Sequence, residues 1–182
     1  MIQHMEVGAV VLRTLCGLYS NLVTRPTGQA VRGAIEARLA DRTAPSLTIL
    51  DFSEVRLLDF SCADEVVGKL LLHYGTNHAE AYFLVRGADD HHLEAIEQVL
   101  SRYGLALVVL DSDGSARIVG AVDDDSRRAW HLIQLRGRAA ADEILIEVGG
   151  PRERLVAQLD DLTARRLLVR SDDDYIALNM LM

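Results

Sequence analysis

Hydrophobic and polar positions along this chain switch between strand-like and helix-like spacing, and each switch marks an element. Glu6 to Leu12 has the β-branched character of a strand, and the stretch on to Thr24 fits either a second strand or an irregular crossover. From Pro26, at the first helical position, to Leu39, residues Ala30, Val31, Ile35 and Leu39 fall near one face while Arg32, Glu36 and Arg38 lie off it, which predicts an amphipathic helix. Pro45 and Ser46 close the next loop, and Leu47 opens a buried strand that runs through Leu50 and Phe52. After Ser61 the spacing is helical again, with Val66, Val67, Leu70 and Leu71 toward a core and an end near Gly75. Ala81 to Val85 is a short buried strand. Asp89 and Asp90 start a helix carrying Leu93, Ile96, Val99 and Leu100, which Gly104 stops, and Leu105 to Leu110 is another buried strand. Asp111 to Gly114 is turn chemistry, so Ala116 to Val122 can pair back as an antiparallel edge strand.

Strands alternating with helices of this length indicate a sheet with helices packed on it, the α/β or α+β solution. That unit is expected to span residues 1–122. Asp123, Asp124 and Asp125 form an acidic break, and the pattern beyond it is mainly helical, which places a second domain at 123–182. Its expected parts are helices at Ser126 to Leu135, Ala139 to Val148 and Pro151 to Leu167, then Leu168 to Arg170 and Tyr175 to Leu178 around a turn at Asp172 to Asp174. This is the layout of a winged helix, with Gly149, Gly150 and Pro151 supplying the tight turn before the third helix. The repeated LDFS, at Leu50 to Ser53 and Leu58 to Ser61, is too short to be a structural repeat.

Composition narrows the function classes. Half of the 182 residues are hydrophobic, enough for a core without crosslinks or metals, and Cys16 and Cys62 read as small buried hydrophobes in an intracellular protein. No leader pattern is present and no apolar run reaches the roughly 18 residues needed to cross a bilayer, so a cytoplasmic protein without membrane contact is expected. The net charge of -8 argues against general nucleic-acid affinity while leaving room for a local basic face.

The chemistry-bearing candidates are few. Ser61 stands where a core strand hands over to a helix, a place suited to an anion, a phosphoryl group or a simple N-cap with Asp64 as capping-box partner. Asp64 and Glu65 have the residue types of an acid/base pair, but neighbouring helical residues diverge by about 100 degrees and are not expected to converge on one atom. Asp89, Asp90, His91 and His92 are metal-ligand types whose spacing fits a solvated helix start better than a metal site, and neither metal nor cofactor is expected. Ser61 lacks a glycine elbow and a base, so no catalytic residue is assigned. In the tail, Arg152, Arg154, Arg165, Arg166 and Arg170 could contact DNA. From Asp123 onward, however, nine arginines face twelve Asp and Glu, a net of -3, which favours protein contact or homodimer formation over DNA.

The run LDFSEVRLLDFSCADEVVGKLL resembles the core of STAS domains, the fold of bacterial anti-sigma factor antagonists, and more closely a STAS-like group of unknown function. The resemblance covers Glu6 to Val122. It implies a mixed sheet with helices, and it matches Asp59 to the aspartate that opens the family's serine turn and Ser61 to the serine that a histidine-kinase-like ATPase phosphorylates. Phe60, Cys62 and Asp64 depart from the Asp-Ser-Ser-Gly-Leu-Gly pattern, and Asp64 with Glu65 in the first helical turn would repel an added phosphate. The implied role is non-enzymatic regulation through a protein partner, either such an ATPase or an anti-sigma factor, docking around Asp59, Ser61, Asp64 and Glu65. LVAQLDDLTARRLLVRSDDDYIAL separately resembles winged-helix regulators, which implies a DNA-binding transcription regulator as the alternative.

Overall fold

A computed structural model describes residues 2–6, 21–40, 46–77 and 81–182. The strand expected beyond Glu6, together with Cys16 and Pro45, lies outside them. The described chain is a mixed α/β structure. Strand β1 (Ile2–Glu6), β3 (Ser46–Asp51), β5 (Ala81–Arg86), β6 (Ala106–Leu110) and β7 (Ala116–Gly120) form one sheet in the order β1-β3-β5-β6-β7. The first four are parallel, and β7 returns antiparallel at the edge, with Val108 opposite Ile118. A two-residue strand β2 (Asn21–Leu22) pairs with β4 (Leu57–Leu58) apart from this sheet.

Helix α1 (Arg25–Leu39) is capped by Thr24 and buries Gly28, Val31, Ile35 and Leu39, while Ala30, expected on that face, is exposed. Helix α2 spans residues 60–77 in three segments: an α-turn at Phe60–Ala63, a π-helical stretch at Asp64–Lys69 and an α-helix at Leu70–Asn77. Helix α3 (Asp90–Tyr103) ends at Gly104 in the left-handed conformation. These helices cover one face of the sheet, where Leu50, Phe52, Phe83, Val85, Leu107, Val109 and Val119 join Val31, Ile35, Val66, Leu70 and Ile96 in a single core. Helices α1 and α3 approach α2 closely at two glycines. A Cβ on Gly28 would lie 3.0 Å from the Cys62 Cα, and one on Gly68 only 2.5 Å from Val99 Cγ1.

Alternate residues of the same strands point the other way. Leu47, Ile49, Tyr82, Leu84, Ala106, Val108 and Ile118 are buried, and they share a second core with Trp130, Ile133, Ile144, Leu159, Leu162 and Tyr175 of the C-terminal segment. That segment comprises α4 (Asp124–Arg136), β8 (Arg138–Ala140), α5 (Ala141–Val148), α6 (Arg152–Ala164), β9 (Leu168–Ser171) and β10 (Asp174–Ala177). Its strands make a separate antiparallel sheet in the order β8-β10-β9. Ala139 lies in β8 rather than in the expected helix, because β10 supplies a pairing edge, with Tyr175 opposite Ala139. The third helix stops at Ala164 instead of Leu167: Arg166 turns left-handed (φ 63°) and Leu167 N–H reaches back to the Leu162 carbonyl at 2.9 Å. The tail therefore forms its own sheet but shares a core with the first one. Arg127 ties the two by donating to the carbonyls of Ile118 at 2.5 Å and Gly120 at 3.2 Å.

Candidate functional site

The turn into α2 is built around Asp59, not Ser61. Asp59 is the N-cap, in extended conformation, and its Oδ1 accepts the Cys62 N–H at 2.8 Å. Ser61 sits inside the first turn, half-buried, and its Oγ donates to both Asp59 oxygens, at 2.9 and 3.1 Å. An aspartate two residues earlier takes the cap because it reaches the free N–H while its second oxygen still holds the serine. The expected Ser61 cap with Asp64 as its box partner is thus replaced by an Asp59 to Ser61 pair. Cys62 is fully buried, donates its thiol to the Thr24 carbonyl at 2.9 Å, and is pushed up to about 11 by burial and by the Asp59 charge, so it is an inert thiol.

Asp64 and Glu65 are not in the first helical turn and are not solvated. They open the π-helical stretch and are 2 % and 0 % exposed. Both accept from the same Arg25 Nη1, each at 2.7 Å, which corrects the expectation that they diverge. The wider π turn, together with side-chain rotation, lets adjacent carboxylates meet one guanidinium, and such insertions are frequent at functional positions. Tyr103 donates its hydroxyl to Asp64 Oδ1 at 2.7 Å; Arg32 Nε donates to Glu65 Oε2 at 3.2 Å, and Lys69 binds Glu65 Oε1. Burial alone would push both carboxyls up. The hydrogen bonds from Arg25 and Tyr103 to Asp64, and from Lys69 and Arg25 to Glu65, outweigh it and hold both below the usual carboxylate range. Three cations, Arg25, Arg32 and Lys69, thus neutralise the two charges locally.

Beside the turn lies a groove of about 390 Å³ lined by Val23, Leu57, Asp59, Phe60, His91 and Gln98, among others. Val23 and Leu57 are 46 % and 53 % exposed. The loop before α2 holds its strand end through Asp51, whose carboxylate accepts from Ser53 N–H at 3.0 Å and pairs with Arg86 at 2.6 Å. Asp89, Asp90 and His91 stand exposed at the start of α3, as expected of a solvated helix start, and of the four only His92 is buried; it pairs with Asp89. The two form a capping box in which His92 is 2 % exposed and its Nδ1 accepts the Asp89 N–H at 3.1 Å. Among the described residues no group of three or more His, Cys, Asp or Glu is placed to hold a metal ion.

The tail arginines separate into two sets. Arg152 pairs with Asp142 at 2.5 Å, Arg154 with Asp125 at 2.5 Å and Arg170 with Asp160 at 2.8 Å, all on the surface. Arg165 and Arg166 are turned toward the large sheet instead. Arg165 donates to the carbonyls of Gly104 and Ala121, and the Arg166 guanidinium lies 5.8 Å from the centre of the Tyr82 ring. At the hairpin tip Asp174 is held by Arg138 at 2.5 Å. Among the described residues no helix is long and apolar enough to cross a membrane.

The buried pair and its cations could have been suspected from sequence only through the single lysine, four residues after Glu65, and the arginines seven residues apart on α1. Comparison with protein-family models, curated proteins and solved structures returns no match for this chain.

Proposed function

We propose that the chain is a non-enzymatic regulatory protein of the STAS-like kind, in which the Asp59 and Ser61 turn receives a protein partner and the C-terminal segment serves as a winged-helix-like output or docking module. The observation that carries this reading is a modifiable hydroxyl set beside exposed apolar surface: Val23 and Leu57 flank Asp59 and Phe60 in one groove. Exposed apolar surface rimmed by polar groups is characteristic of protein-contact sites, and His91, Glu94 and Gln98 provide that rim. A phosphoryl group on Ser61 would displace the hydrogen bond to Asp59 and set about -1.5 to -2 charges against that carboxylate. This is a local electrostatic event able to reshape the turn and bias the docking of a histidine-kinase-like ATPase or an anti-sigma factor.

The DNA-binding alternative has less support, since Arg165 and Arg166 face the sheet and the other three arginines are each paired with an aspartate. A gel shift at low salt tests it directly. For the partner reading, affinity capture from native cells should compare the wild type with Leu57→Arg, Ser61→Ala and Ser61→Asp. A partner recovered by the wild type, lost with Leu57→Arg and changed between the two Ser61 variants supports the proposal; equal recovery by all four refutes it.

A further inference from the structure

We propose that the seam between the large sheet and the C-terminal helices is a binding site for a small carboxylic acid with an apolar body. A cavity of about 220 Å³ opens there, with Leu71, Leu72, Phe83, Leu107 and Leu167 among its walls and Arg165 and Arg166 contributed by the end of α6. It exceeds the roughly 150 Å³ of an apolar cavity that takes up benzene. An aromatic ring or a short branched chain with an acid arm therefore fits by volume.

The two guanidiniums are used differently. Arg165 is committed to the Gly104 and Ala121 carbonyls, with Asp161 at 3.7 Å. Arg166 is not: apart from the Tyr82 ring, its Nε–H is buried with no hydrogen-bond partner among the described residues. An unpaired buried donor on a cation is costly, and a carboxylate oxygen is the acceptor that satisfies it best. The backbone adds an independent sign. Arg166 holds φ 63° directly beyond α6, a position where chains favour glycine, and a long side chain kept at such a place points to a task for that side chain. Asp161 pairs with Arg165, and among the described residues no carboxylate pairs with Arg166, which leaves Arg166 as the cation available to an incoming anion.

The site is distinct from the Ser61 turn and does not rest on the partner proposal. It is tested on the full chain by titrating benzoate, phenylacetate and phenylpropanoate, with their amides and acetate as controls, and following leucine methyl resonances by NMR. The acids, but not the amides or acetate, should shift the Leu107 and Leu167 methyls saturably. Arg166→Gln should weaken binding by at least about tenfold. Arg166→Gly, which suits the left-handed backbone, should do the same without loss of fold. Gly75→Leu places a side chain at a cavity-lining helical position with nothing within 4 Å of its Cβ, and should abolish binding by filling the cavity. Equal binding of acids and amides, unchanged binding in the Arg166 variants, or no saturable shift with any of the three acids overturns the proposal.

Discussion

Removing the chain after Val122 should leave a first unit that cannot hold its native state. The cut strips the cover from Leu47, Ile49, Leu84, Val108 and Ile118, all between 0 and 5 % exposed, as well as from Tyr82 and Ala106. Full exposure of the five large aliphatic side chains would cost about 10 kcal/mol at roughly 2 kcal/mol each. Neighbouring strands would still shelter about half of each, so a loss of about 5 kcal/mol is the reasonable figure. That equals the whole stability of many single domains, which runs from about 5 to 15 kcal/mol. Residues 1–122 expressed alone should therefore bind a hydrophobic dye, lose near-ultraviolet circular dichroism and unfold in urea without a cooperative transition, while keeping much of their helical signal. Adding residues 123–182 in trans should restore cooperativity. A dye-negative monomer of 1–122 with a sharp urea transition would refute the claim that the sheet depends on the tail for its second face.

Other consequences are smaller and cheaper to check. Asp59→Ala should cost about 1 to 2 kcal/mol in urea denaturation as a lost helix cap, and Ser61→Ala well under about 1, an order that the capping roles read from sequence would reverse. Gly68→Ala should destabilise by about 1 to 3 kcal/mol through overpacking against Val99 and Tyr103, whereas Gly75→Ala, in open space on the same helix, should stabilise by about 0.5 to 1 kcal/mol. Burial holds His92 below its ordinary 6.5, so the unfolded chain takes up that proton first and urea midpoints should start to fall as pH drops below about 6.5; His92→Gln, which keeps a capping-box residue at the third helical position, should remove this first slope. A second decline should begin below about pH 4.5, where the unfolded chain protonates carboxylates that Asp51, Asp64 and Glu65 keep ionised in the fold.

Helix and strand positions were legible in the sequence where periodicity, caps and stops agreed. Asp89 and Gly104 bracket α3 as read, and Leu47, Ala81 and Leu105 each lie within one residue of a strand's start. The covered second face was also written there, unread: Tyr82 to Val85 and Ala106 to Leu110 are apolar at every position, which a sheet wet on one side does not allow. The site was harder. Apart from Lys69 four residues on, nothing local distinguishes Asp64 and Glu65 from ordinary surface carboxylates, because their arginines arrive from α1, 33 to 40 residues earlier, and no residue pattern announces the π-helical spacing. The cap was misread for a related reason. Asp59 and Ser61 both suit the position, and the choice is made by where β4 releases the chain, a tertiary fact.

Helix α2 bears on both ends of the molecule's chemistry. Its cap and Phe60 form the groove beside Ser61, while Leu71, Leu72 and Gly75 line the seam cavity. Between them the π-helical stretch is pinned to α1 through Arg25 and Arg32 and to α3 through Tyr103. Opening this cluster would leave Glu65 buried without its partners, at a cost of about 3 kcal/mol or more. Coupling between sites within a protein is typically worth only about 1 to 3 kcal/mol. Couplings of that size are thus too small to open the cluster, which stays closed and keeps α2 pinned to α1 and α3 between the Ser61 turn and the seam cavity.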